Sequence, residues 1–183
     1  MRYAWQWFAA LLFTTTSVFA VFEPNRGQAG GDVRFLGREK GSVILAGDGG
    51  WNVTLRAQAT IRFRIADAPN AKPEAAQPLE SHSNYFIGND ASRWLRDVPH
   101  YDSIRYRDVY PGIDAVIHPF EYDFIIAPGA DPDQIGVIVD GAEPKFRGDA
   151  IVAGDLVQKK PVAYQERGGV RHDVDVRYAL DGH

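Results

Sequence analysis

Residues 110–131 read "YPGIDAVIHPFEYDFIIAPGAD", and the fold follows from how this stretch is read. Pro111-Gly112 and Pro128-Gly129 suit the central positions of two type II turns. Proline presets φ, and glycine tolerates the positive φ that follows. Asp114 and Asp131 stand just after these turns, where a carboxylate can accept backbone N–H bonds. Between the turns, "IDAVIH" and "FEYDFIIA" predict two strands separated near Pro119. In the second, Phe120, Tyr122, Phe124 and Ile126 share one face, and Glu121, Asp123 and Ile125 share the other. Burying each aromatic ring is worth roughly 1.5–3 kcal/mol, which makes this strand central to a core.

Glu121 and Asp123 are close neighbours on that second face. Two carboxylates so placed could do acid–base work or hold a cation. The reading adopted here is structural. Arg105 and Arg107 in "IRYRD" are also two apart, and cross-strand pairs of these arginines with Glu121 and Asp123 would fix strand register. No third catalytic group accompanies the acids, so no catalytic residue is assigned beyond these two weak candidates.

The rest of the chain repeats the same grammar. "DVRFLG", "SVILAG", "WNVTLR" and "ATIRFRIA" are short apolar runs broken by glycines. Ile61, Phe63 and Ile65 alternate with Arg62 and Arg64, the period of a strand with one buried face. Residues 67–80 carry three prolines without apolar periodicity and predict a surface loop. "SNYFIG" predicts a strand. Asn89-Asp90 are placed to cap a short helical turn, "ASRWLRD", that would bury Trp94 and Leu95. Further strands are expected from Ser103 to Leu180. About ten short strands with Gly, Pro and Asp punctuation predict an all-β protein, an antiparallel β-sandwich.

The opening segment, "MRYAWQWFAALLFTTTSVFA", carries one charge, Arg2, and ends in Val18-Phe19-Ala20. Residues 1–20 are expected to be a signal peptide cleaved after Ala20, leaving 21–183 as one domain in an exported protein with no stable membrane span. An uncleaved anchor is the alternative, weakened by Thr14, Thr15, Thr16 and Ser17. The formal net charge of −4 and the lack of a basic run argue against nucleic-acid partners. There is no cysteine, so the core alone must hold the domain. No cofactor or metal is expected. His82, His100, His118, His172 and His183 form no zinc pattern, and "GADPDQ" is only a fragment of a calcium loop. Walker, GxGxxG and GxSxG motifs are missing. Trp51 and Trp94, with Tyr85 and Tyr101, would make a sugar-stacking platform if exposed, although aromatics in a sandwich are usually core.

Five ordered segments carry a family resemblance: "FEPNRGQA" (22–29), "SNYFIGNDASRW" (83–94), "YRDVYPGIDAV" (106–116), "EYDFIIAPGADPDQI" (121–135) and "QKKPVAYQE" (158–166). Together they resemble the uncharacterised N-terminal domain of bacterial secreted and cell-surface proteins that carry seven-bladed beta-propeller (SBBP) repeats. The resemblance implies an exported β-rich module, with downstream propeller repeats, other surface proteins or glycans as partners. It implies no activity and supplies no catalytic residue. Relatives have a longer hairpin before the segment matching "EYDF" and continue past "RYALDGH". On that ground the sandwich is expected to lack C-terminal strands and to expose an edge.

Overall fold

The computed structural model describes residues 6–12, 21–39, 41–55 and 60–181. The fold is all-β and antiparallel. Its strands are β1 (Gln6–Leu12), β2 (Phe22–Pro24), β3 (Phe35–Glu39), β4 (Ser42–Gly47), β5 (Gly50–Thr54) and β6 (Thr60–Ile65). They continue with β7 (Pro73–Tyr85), β8 (Leu95–Tyr110), β9 (Ile113–His118), β10 (Glu121–Ile126) and β11 (Val137–Asp140). The last five are β12 (Lys145–Arg147), β13 (Ala150–Ala153), β14 (Leu156–Gln158), β15 (Val162–Arg167) and β16 (Val170–Val174). One 13-stranded sheet runs β11-β6-β5-β4-β3-β2-β8-β9-β10-β1-β15-β16, with β7 also paired to β8; β12-β13-β14 form a second sheet.

The large sheet curls so that its two halves face one another. Trp51 of β5 stacks on Phe63 of β6 at 5.3 Å, and lies 5.2 Å from Tyr122 of β10. Tyr122 in turn meets Phe124 edge-on. The alternation in β6 and β10 buries Ile61, Phe63 and Ile65, and Tyr122, Phe124 and Ile126, as the period of two requires. Ala153 and Leu156 of the small sheet join the same core.

Strand β8 is the spine. It pairs with β7, β2 and β9 along its length. Tyr106, buried in its C-terminal half, places its hydroxyl 2.9 Å from the Gly47 carbonyl and 2.8 Å from that of Gly50, at the tip of the β4–β5 hairpin. Gly50 has no room for a side chain, because a methyl group there would collide with the Phe63 carbonyl.

Residues 67–80 are not a loop throughout. The turn ends at Lys72, and Pro73–Tyr85 forms β7. Pro73 and Pro78 are tolerated because, among the described residues, β7 pairs with β8 alone, and the ladder shifts register between Pro78 and His82. The helical element near Trp94 shrinks to a 3₁₀ turn at Ala91–Arg93, capped by Asp90, which accepts from the Ser92 N–H. Trp94 and Leu95 are half-buried. "SNYFIG" is strand only to Tyr85; Phe86 and Ile87 are exposed.

Gln6–Leu12 lies inside the segment read as a signal peptide, and its backbone forms β1, between β10 and β15. The Val18-Phe19-Ala20 cleavage signal lies outside the described residues.

Removing the Tyr106 hydroxyl strips one buried and one half-buried carbonyl of their shared donor. Tyr106→Phe is expected to lower stability by about 1–3 kcal/mol in urea unfolding, with an unchanged m-value.

Candidate functional site

The β9–β10 hairpin carries a polar cluster at the margin of the core. His118 ends β9 and Glu121 begins β10, directly opposite each other. The turn between them holds Phe120 at a φ of 66°, with its ring buried. Asp123 lies two residues beyond Glu121 on the same strand face. The His118 imidazole stands between two carboxylates: Nδ1 is 3.3 Å from Asp102 Oδ2, and Nε2 is 3.5 Å from Asp123 Oδ2. Asp123 Oδ1 is buried and finds no hydrogen-bond partner among the described residues.

The electrostatics follow from that geometry. A neutral imidazole has one N–H and can serve one of the two acids; the imidazolium serves both. Burial works against the His118 charge, yet the hydrogen bond and charge of Asp123, with Asp102 and Glu121 behind it, outweigh burial and raise its pKa above 6.5. Burial, and then the charge of Asp123, push the Glu121 carboxyl upward. Ile44, Trp51, Val53, Phe120 and Leu156 wall a small space beside His118 and Glu121. It has room for about one water molecule.

The expected partners of these acids are replaced by others. Arg105 bonds Asp114, with Nε 2.6 Å from Oδ2, and Arg107 bonds Glu74 at 2.7 Å. Strand β9 intervenes: Arg105 and Asp123 both stand opposite Val116, on its two sides. Neighbouring strands are about 4.8 Å apart, so β8 and β10 are roughly twice that. Asp114, diagonal to Arg105 across one strand spacing, is the nearer acid. It also accepts the Asp108 N–H at 2.6 Å.

The turn residues fall where backbone geometry places them. Gly112 and Gly129 have φ of 75° and 87°. Pro111-Gly112 joins β8 to β9, and Pro128-Gly129 follows β10. Asp131 caps the 3₁₀ turn Pro132–Gln134 through the Asp133 N–H. Trp51 is buried, with 3% of its surface exposed. Trp94 donates its indole N–H to the Gly88 carbonyl and meets Phe86 edge-on at 5.2 Å. The Arg96 guanidinium lies over both rings.

Sequence reasoning missed a second cluster. Glu23 of β2 is buried and accepts from Ser83 at 2.5 Å and from the Tyr85 hydroxyl. His100 Nε2 is 3.1 Å from Glu23 Oε1, and its Nδ1 is 2.9 Å from Ser81 Oγ. Arg38 donates to the Tyr85 oxygen. Burial, then the Glu23 hydrogen bond, raise the Tyr85 pKa. The available signal was the period-two spacing of Ser81, Ser83 and Tyr85, hidden once the preceding prolines were read as a loop. Ser81 and Ser83 each lie within hydrogen-bonding distance of His100, and Ser83 also reaches Glu23. The cluster therefore ties β2, β3, β7 and β8 together. Among the described residues, no group of three or more His, Asp or Glu side chains is arranged to hold a metal ion.

These features define an all-β domain whose acids are engaged mainly with histidines, arginines and hydroxyls. The chain belongs to the family described as Domain of unknown function (DUF7948), which matches residues 22–183. No curated protein and no solved structure matches it. Among the described residues, no helix is long and apolar enough to cross a membrane.

The His118 assignment has a measurable consequence. A raised folded-state pKa contributes stability that is full below the unfolded value of 6.5 and fades as pH rises through the folded value. By NMR titration, the His118 midpoint is expected above 6.5 in the parent and lower in Asp123→Asn. The parent's stability advantage over that variant is expected to be larger at pH 5.5 than at pH 9.

Proposed function

We propose that this chain is an exported, non-enzymatic β module with a structural or interaction role. In this reading it is the N-terminal head of a bacterial secreted or cell-surface protein with SBBP repeats, and residues 1–20 are removed after Ala20. A polar-faced head suits the end of a repeat array, which needs a cap to stay soluble. The observation that carries the reading is the engagement of Glu121, Asp123 and His118 with one another beside a space of about one water, a poor fit for a substrate. The partners are the downstream repeats, other surface proteins or glycans.

One observation favours a second reading, a carbohydrate-binding module. Phe86 is 54% exposed and Trp94 packs against it under Arg96, which gives an apolar surface beside a cation. Trp51 cannot contribute, because it is core.

Fractionation of cells making the tagged full chain is expected to place it outside the cytoplasm; retention inside would sink the first reading. Glu121→Gln and Asp123→Asn are expected to change stability while abolishing no hydrolytic activity. A folded Glu121→Gln protein that has lost hydrolysis of a polysaccharide or ester substrate would overturn the non-enzymatic assignment. On a glycan array, binding by the parent that is lost in Trp94→Ala would favour the carbohydrate reading over the first.

A further inference from the structure

Strand β1 is an interior strand of the large sheet whose two neighbours, β10 and β15, are far from it in sequence. Its backbone runs antiparallel to β10 over Trp7–Leu12 and antiparallel to β15 over Gln6–Ala10. Ala9 stands opposite Phe124 on one side and Ala163 on the other. Strands β10 and β15 therefore run parallel to each other, about two strand spacings apart, and among the described residues the sheet joins them through β1. Flanking residues Tyr122, Phe124, Ile126 and Ala163 are all buried. Without β1, two ladders of backbone N–H and C=O groups would open beside the core, and such groups must find partners.

We propose that the interval between β10 and β15 is a strand-acceptor groove, filled in the exported protein by an extended strand from a partner chain. This rests on the cleavage reading above, because removal of residues 1–20 takes β1 away. The occupant is defined by the strand that fits. It is about seven residues long, uncharged and mostly apolar like "QWFAALL", and antiparallel to both neighbours. It gives affinity through two ladders rather than one, so a break in its backbone bonding is felt on both sides. The groove makes the module a receptor for a β-strand, a specific form of the interaction role.

The test starts from the folded full chain, carrying a site-specific protease sequence inserted within residues 13–20 and cut after purification. A labelled peptide spanning residues 5–13, with flanking lysines for solubility, is then added. The expected result is one-to-one exchange of the cut strand for the labelled peptide. The Ala9→Pro peptide should bind at least about tenfold more weakly, since proline removes a ladder donor. Loss of the cut strand without uptake of the peptide overturns the groove, as does equal binding of the proline peptide.

If the cut chain aggregates, the uncut Ala9→Pro chain decides by amide exchange. Protection at both Glu121–Ile126 and Val162–Arg167 should fall, and should return with the unsubstituted peptide. Unchanged protection at either strand overturns the proposal. The mass of the exported chain reports separately on cleavage. If residues 1–20 are retained, β1 serves in cis and supply from a partner is overturned, whereas failed exchange in the cut chain condemns the groove itself.

Discussion

The hydroxyl of Tyr106 is where the two halves of the sheet are tied together. It rises from the C-terminal half of β8 and meets the carbonyls of Gly47 and Gly50 at the far hairpin. Burial raises its pKa, so it stays a neutral donor at any physiological pH. An apolar contact there would bring the layers together without fixing their register. A buried donor with two carbonyls in reach does both, because a sliding layer would leave those carbonyls unpaired. Around this point the aromatic rings of Trp51, Phe63, Tyr122 and Phe124 supply area, and Gly50 supplies the close approach of β5 to β6.

The two histidine clusters use similar chemistry for different ends. His118 sits at the rim of the core between carboxylates on β8 and β10, so its charge couples a hairpin to the spine. His100 shares Glu23 with a serine and lies beside a tyrosine bonded to the same acid, which fastens the short β2 to β7. Neither requires a ligand to explain its residues, although Asp123 Oδ1 finds no hydrogen-bond partner among the described residues. That orphan is the least settled atom of the His118 cluster, because a carboxylate oxygen held away from water loses solvation it does not recover.

Much of the fold was legible because burial on one face imposes a period of two. Thr60–Ile65 and Glu121–Ile126 show it, and both became strands with the expected faces inward. Turn chemistry was equally readable at Gly112 and Gly129, whose positive φ is what glycine supplies. β7 was hidden because Pro73 and Pro78 look like loop markers, and only an edge position makes them compatible with a strand. The partners of Arg105 and Arg107 were misread because alternation fixes a residue's face but not the acid that tertiary register brings within one strand spacing. The Glu23 cluster draws on residues far apart in the chain; the period of two at Ser81, Ser83 and Tyr85 marks one face of β7 but not the glutamate, histidine and arginine that meet it.

Strand β2 is three residues long, yet it joins the β3–β6 meander to the β8–β10 meander. Each meander is built from neighbours in sequence and can form by local hairpin closure. The seam between them cannot, because Phe22 must find Tyr101 across most of the intervening chain. Loop closure of that span comes before any contact rewards it, so joining the meanders is expected to be slower than closing the hairpins within them. Until it happens, each half presents an unpaired edge, and the interval before the seam closes is when copies of this protein are most prone to pair with each other instead of with themselves.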